Sequence, residues 1–238
     1  MNTPFSISYA PTHYDCDCHE RMRPSAVLLK MQECAGYQLD SLGLPYDRLY
    51  EEGFVFVIVS VGMKFYELPR MEQAVTFETW PMAVKGARFH RNYRVLDGDR
   101  LLCEAASQWV LIDPHSRKIL RPAAFPHPLP LVEQAVQVDL GARLCMPEDL
   151  QPLPDKLVRY SDVDANGHLN NVKYADIVMD YGPFDPFRQQ AAELYLSMTG
   201  EAYPGQTIRL SGKREEETVF VRGEHDRGRC FDGILKIK

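Results

Sequence analysis

Helical periodicity is scarce along this chain. Its clearest instance is RPSAVLLKMQECAGYQLDSLG, where Leu28, Met31, Ala35, Leu39 and Leu42 recur at three- and four-residue steps and so share one helix face. Pro24 suits the first turn of that helix, and Gly43 with Pro45 marks its stop. A second helix is predicted in NNVKYADIVMDYGP, capped by Asn170 or Asn171, with Ala175, Val178 and Met179 on one face and Gly182-Pro183 at its end. Most other apolar runs read as strands. FVFVIVSVGMKF is β-branched and aromatic, and QAVTFETWP sets Val75, Phe77 and Thr79 on the face opposite Thr76, Glu78 and Trp80. ARFHRNYRVL and LCEAASQWVLID flank DGDR, a glycine-containing hairpin turn.

The order of these elements repeats. A short strand, a polar loop, a helix and four strands make up the first half. After a Pro-rich stretch the same order returns with DKLVRY, the helix of NNVKYADIVMDYGP, then AAELYLSMTG, QTIRLSG, ETVFVRGE and RCFDGILKIK. The polar loops align as DCDCHERMRP against DVDANGHLNN, so that Asp15 and Asp17 fall on Asp162 and Asp164, His19 on Asn166, and Arg21 on His168. This is an internal duplication at a period far longer than a solenoid's. The expected architecture is α+β, two similar domains that each pack a long helix on an antiparallel sheet. The boundaries drawn are residues 1–125, a Pro-rich linker over 126–153 with a short ordered piece at LVEQAVQV, and residues 154–238.

Composition narrows the function. No apolar run approaches the roughly 20 residues of a membrane span, and MNTPFSISYAPTHYD lacks the basic-then-apolar pattern of a signal peptide. A formal net charge of −6 disfavours nucleic acid as partner. The basic run KGARFHRNYR, with Lys85, Arg88, Arg91 and Arg94, offers a local patch for an acidic partner or simply a solvated strand face. Six scattered cysteines suggest reduced thiols in a cytoplasm. CDCH (Cys16, Cys18, His19) has neither the usual zinc spacing nor a second pair nearby, so no metal is expected there.

The stretch DVDANGHLNNVK opens like a calcium loop, with Asp162, Asp164 and Asn166 at alternate positions and then Gly167. Its twelfth position is Lys173, where calcium needs a bidentate Glu, and a β-like segment rather than a helix precedes it. Turn formation and capping explain Asp162, Gly167 and Asn170 or Asn171. They do not explain the alternation of Asp164, Asn166 and His168, which in extended chain would point the three side chains the same way. A carboxylate, an amide and an imidazole at the start of a helix suit a polar reaction at a carbonyl.

YSDVDANGHLNNVKYADIVMD resembles the signature of the acyl-ACP thioesterases, double hot-dog proteins that hydrolyse the thioester between a fatty acyl chain and acyl carrier protein in fatty acid biosynthesis. The resemblance covers nearly the whole chain and implies two tandem hot-dog domains. It places the family's catalytic Asp, Asn and His on Asp164, Asn166 and His168, and its strand-borne Glu on Glu201 within LYLSMTGEAYPGQ. Ala202 stands where Cys is common, which removes a cysteine nucleophile from that position and leaves carboxylate-assisted attack by water, with Glu201 or Asp164 as base or nucleophile. His168, Asn166 and N–H groups at the helix start are expected to stabilise the oxyanion. The first copy has lost the pattern, so one active site per chain is expected, with the N-terminal half housing the acyl chain. The resemblance further implies a phosphopantetheine-bearing acyl carrier protein as partner, resting on basic residues such as Arg88 or Arg91. It implies no cofactor or metal, and either a monomer or a homodimer. An acyl-CoA thioesterase, a non-catalytic acyl- or carrier-binding protein and a hot-dog dehydratase are the alternatives.

Overall fold

The computed structural model describes residues 2–140 and 144–238. The chain forms two compact units, one ending at Leu140 and the other running to Lys238. Both are α+β, with antiparallel strand pairs throughout. Residues 141–143 of the Pro-rich stretch lie outside the described residues.

The first unit runs β1 (Phe5–Tyr9), α1 (Pro24–Ser41), α2 (Tyr46–Glu51), β2 (Val55–Phe65), β3 (Val75–Lys85), β4 (Arg88–Asp97), β5 (Arg100–Ile112) and β6 (Ile119–Leu120). Its strand order is β1-β3-β4-β5-β2, with β6 beside β5. The β4–β5 hairpin turns through Gly98-Asp99, where Gly98 takes φ +57°, a conformation glycine reaches without Cβ strain. α1 buries Val27, Leu28, Met31, Cys34 and Ala35, and the Cys34 thiol reaches the Phe77 carbonyl on β3 at 3.5 Å. The apolar stripe drawn from sequence ends sooner than its spacing suggests. Leu39 is half-buried and Leu42 exposed, because the helix stops at Ser41 and the buried face continues through Gln38 instead. The short helix α2 has no counterpart in the sequence pattern, being only six residues long.

β3 departs from simple alternation. Phe77, Thr79 and Trp80 are all fully buried. Phe77 and Thr79 face α1, whereas Trp80 points to the opposite face, where residues from the Pro-rich stretch cover it. Trp80 Nε1 and Asn92 Nδ2 both donate to the Gln134 carbonyl, at 2.9 and 3.0 Å. The Val132 and Gln137 amides donate to Pro81 O and Glu104 Oε2. The predicted ordered piece LVEQAVQV is therefore neither helix nor strand, but is held by these bonds to the sheet.

The second unit runs β7 (Gln151–Pro152), β8 (Lys156–Leu157), α3 (Lys173–Tyr181), β9 (Ala191–Met198), β10 (Thr207–Glu215), β11 (Thr218–His225) and β12 (Gly228–Ile237). Its order is β9-β12-β11-β10-β7, with β8 on β10. The second helix is nine residues rather than long, and its buried face is Tyr174, Ala175, Ile177 and Val178, with Met179 at the margin. It packs on β12. The Tyr174 and Phe231 rings lie 4.9 Å apart, and a Cβ at Gly233 would sit 2.5 Å from Val178 Cγ2, so glycine is what permits the approach. Burying each such large side chain stabilises the unit by roughly 1.5–3 kcal/mol. Among the described residues, no helix is long and apolar enough to cross a membrane.

Candidate active site

The segment before α3 is a closed loop, not extended chain. A 3₁₀ turn at Tyr160–Asp162 leads in, and a Val163–Leu169 bridge shuts the loop. Inside it, the Asp164 amide donates to His168 O at 3.1 Å, Gly167 N donates to Asp164 O at 3.0 Å, and Asn166 N donates to Asp164 Oδ1 at 2.9 Å. Gly167 supplies the left-handed residue, at φ +81°. The alternation of Asp164, Asn166 and His168 thus converges through a turn rather than through a pleat, and Asn166 sits exposed at its tip. Asp162, the apparent first calcium ligand, is buried and accepts from Lys156 Nζ at 2.7 Å and Arg159 N at 2.8 Å. Burial opposes its ionisation, but the Lys156 and Arg159 donors outweigh burial and hold the carboxyl below its ordinary range. Asn170 Oδ1 accepts from the Val172 amide at 3.1 Å just ahead of the helix.

Glu201 lies just beyond β9, in the loop before β10, rather than on the strand itself. That loop is tied to the first one because the Leu169 amide donates to Ala202 O at 2.7 Å. His168 therefore stands between two carboxylates. Its Nδ1 is 3.9 Å from Asp164 Oδ1, and its Nε2 is 3.7 Å from Glu201 Oε1. Nδ1 also lies 3.3 Å from Leu169 O, an acceptor, so this nitrogen carries a proton. All three side chains keep partial solvent access. The other Glu201 oxygen, Oε2, accepts the Tyr203 hydroxyl at 2.6 Å. The backbone carbonyl of Glu201 accepts from His225 Nε2 at 2.9 Å and from Arg227 Nη2 at 3.2 Å. His225 is buried and its Nδ1 accepts the Arg227 amide at 3.1 Å, which fixes the Nε2–H tautomer. Arg227 in turn covers the Tyr203 ring at 4.8 Å. Sequence reasoning missed Tyr203, His225 and Arg227. Tyr203 could have been noticed as an aromatic hydroxyl two residues from Glu201, but the other two arrive from β11 and the turn after it, with no local signal.

Two chemical expectations change. The amides of Val172, Lys173, Tyr174 and Ala175 already donate to Asn170 Oδ1, Asn170 O, Asn171 O and Val172 O, so this helix start cannot also donate to an oxyanion. Cys230, although on the last strand, lies beside the site, since its carbonyl accepts from Thr199 and Gly200. Its thiol is buried, donates to Gly223 O at 3.1 Å, and is pushed up by burial to about 11, the state of a structural thiol rather than a nucleophile. Ala202 is itself fully buried. Among the described residues, no group of three or more His, Cys, Asp or Glu is placed to hold a metal ion.

The first unit repeats this construction bond for bond. A 3₁₀ turn at His13–Asp15 precedes a Cys16–Met22 bridge, Asp17 N donates to Arg21 O at 2.7 Å, and His19 N donates to Asp17 Oδ1 at 2.8 Å. Glu20, at φ +60°, occupies the place of Gly167. Met22 N donates to Pro69 O at 2.7 Å as Leu169 N does to Ala202 O, and Arg70 N donates to Gln73 Oε1 as Tyr203 N does to Gln206 Oε1, both at 2.8 Å. Leu68 thereby falls on Glu201. The copy keeps the loops but has Arg21, paired with Asp17 at 3.3 Å, for the imidazole and an apolar side chain for the glutamate.

Residues 2–123 match the acyl-ACP thioesterase N-terminal domain, and residues 153–228 the acyl-ACP thioesterase C-terminal domain. The chain belongs to the acyl-ACP thioesterase family. Among curated relatives, this thioesterase-family chain is 21% identical over 200 residues to an acyl-[acyl-carrier-protein] hydrolase, FATB2, chloroplastic, of Cuphea viscosissima, covering 75% of this chain and 47% of that protein. It thus spans about half the length of the curated relative it matches. Solved structures that share its fold include two acyl-ACP thioesterases. An acyl-ACP thioesterase from Bacteroides thetaiotaomicron has a TM-score of 0.88 at 18% identity, covering 98% of this chain and 97% of that one. The 12:0-ACP thioesterase of Umbellularia californica has a TM-score of 0.80 at 16% identity, covering 99% and 97%.

One expected docking residue is displaced by the structure. Arg91 of this family member is 7% exposed and turned toward α1, so it cannot meet the surface of a carrier protein. Its place in β4 puts it on the inner face beside Thr79, whereas Arg88 remains exposed at the strand's start.

Proposed function

We propose that this chain hydrolyses fatty acyl thioesters of acyl carrier protein to free fatty acid and carrier thiol, on two tandem hot-dog domains of which only the second is catalytic. The observation that carries this reading is the imidazole of His168 flanked by Asp164 and Glu201, in a chain whose family model spans both halves. Asp164 is occupied with the Asn166 amide and lies on the Nδ1 side, so it orients the ring. Glu201 presents Oε1 toward Nε2 and has Oε2 held by Tyr203, so it is the general base.

Glu201 takes a proton from water as the water oxygen bonds to the thioester carbon. The side-chain amide of Asn166 donates to the resulting oxyanion, the role lost to the helix amides. The C–S bond then breaks, and the proton passes from Glu201 through His168 to the leaving sulfur. Water has been split between acid and thiol, and the side chains return to their starting state. The first unit holds a cavity of ≈ 660 Å³ lined largely by apolar residues of α1, α2, β2 and β4, within the usual range for a small-molecule site and suited to an acyl chain. The partner is acyl carrier protein with its phosphopantetheine arm, and the working unit is a monomer or homodimer.

The test is hydrolysis of an acyl-ACP chain-length panel, with matched CoA thioesters, by wild type and by Asp164→Asn, His168→Ala and Glu201→Ala. Carrier-protein substrates should be cleaved faster than CoA substrates, and Glu201→Ala should lose about 10²–10⁴-fold. Full activity in all three variants would end the site assignment, and equal rates on CoA would end the carrier preference.

A further inference from the structure

The cavity of the first unit is not uniformly apolar. Arg91 lines it, and the guanidinium is buried without a carboxylate: among the described residues it forms no ion pair. Nη1 donates to Gln38 Oε1 at 2.5 Å and to Thr79 Oγ1 at 3.1 Å, whereas Nε and Nη2 meet no protein acceptor among the described residues and are not sealed from solvent. Asp40, the carboxylate on the cavity wall, is exposed and does not pair with it. Burial, the largest influence on Arg91, disfavours its charge, and the nearest ionisable neighbours are the Tyr93 hydroxyl and the Cys34 thiol. The thiol is itself pushed up to about 12 by burial and so carries no charge at neutral pH. A largely buried cation held only by two neutral side chains is expensive to keep in a fold, and core packing would be served better by an apolar side chain. A second donor lies on the same wall. Gln32 lines the cavity from α1, and its Nε2 is buried with no acceptor.

Most of the remaining wall is apolar, with Phe56, Phe89 and Phe125 packed edge to face at 5.0–6.0 Å, although His90 and His127 also line it. A plain hydrocarbon chain fills such a wall but leaves the Arg91 donors unmet. A chain with an oxygen substituent meets both. We infer that this cavity selects acyl chains bearing a hydrogen-bond-accepting oxygen, which Arg91 receives through Nε and Nη2, making Arg91 a specificity-determining residue. The inference rests on the acyl-chain reading of the cavity given above. It sets the substrate class as oxygenated acyl thioesters, with hydroxyl, keto and terminal carboxylate as the acceptors to be distinguished.

The experiment measures kcat/KM for acyl-ACPs of one chain length that carry a hydroxyl or keto group at successive positions, or a terminal carboxylate, against the unsubstituted chain. Wild type should prefer one substituted position by roughly 10- to 100-fold, the range of a hydrogen bond to a charged donor. Arg91→Met should abolish that preference while still cleaving the unsubstituted chain. Preference for the plain chain at every position, or a preference that survives Arg91→Met, overturns the inference. If Arg91→Met does not fold, the wild-type series decides alone. If wild type cleaves no acyl-ACP, the hydrolase reading fails. Calorimetric titration of wild type with the matching substituted and plain fatty acids then decides the cavity claim, which tighter binding of the substituted acid upholds and equal or weaker binding overturns.

Discussion

Tyr203 and Glu201 form the closest contact of the site, a hydroxyl-to-carboxylate bond of 2.6 Å. It occupies one Glu201 oxygen and turns the other toward His168. Tyr203→Phe keeps the ring that faces the imidazole edge-on at 6.5 Å but removes that donor. Its kcat should fall roughly 10-fold, the cost of one hydrogen bond to a charged group, with thermal stability little changed; an unaltered kcat would show that Glu201 needs no such hold. The cysteines give a second residue-scale test. Cys18 and Cys145 are exposed, whereas Cys34, Cys103 and Cys230 are buried. Iodoacetamide on the native protein should label Cys18 and Cys145 first and leave hydrolysis intact. Activity loss that tracks Cys230 labelling would restore a thiol mechanism.

At the scale of elements, each site loop depends on one left-handed residue and one buried aspartate. Nothing lies within 4 Å of a Cβ built on Gly167, so Gly167→Ala adds only backbone strain at φ +81°. It should cost about 1–2 kcal/mol in a denaturant titration. Glu20→Gly, in the equivalent place at φ +60°, should stabilise or be neutral. Asp162 joins the 3₁₀ turn to Lys156. Its folded-state carboxyl is held below the ordinary value, so its contribution is present above the unfolded-state value of about 3.9 and lost as pH falls through the folded one. Asp162→Asn should therefore cost about 1–3 kcal/mol at pH 7 and much less near pH 3. A pH-independent difference between the two unfolding curves would contradict the ionic account. The turn itself could not be read from spacing. Alternation suggested a pleat, but the side chain of Asp164 captures the Asn166 amide and bends the chain.

For the whole molecule, two loops of the same bond pattern carry different side chains. Leu68 is buried where Glu201 is partly open, and Arg21 is tied to Asp17 where His168 faces a carboxylate. Converting His19→Asn and Arg21→His in a Glu201→Ala background should therefore restore no turnover in an acyl-ACP assay, because the base is still missing. Measurable rescue would mean that the first copy retains a hidden acid–base group. The equivalence of Leu68 and Glu201 was not visible in sequence. It emerges only when Pro69 and Ala202 are seen to accept the same amide bond.

Periodicity, turn residues and the repeated order of elements determined the α+β class and the loop that carries Asp164, Asn166 and His168, because these depend on local preferences and short spacings. The departure at Ala202 was equally plain in the chain. Tertiary structure decided what depends on contacts between distant segments. It buried Trp80 on its outer face under residues far along the chain, brought Glu201 and Tyr203 to the His168 imidazole with His225 and Arg227 behind Glu201, and turned Arg91 from an assumed surface cation into a wall of the cavity. A side chain's neighbours across a sheet or beneath a helix are fixed by packing, and one-dimensional spacing does not encode them.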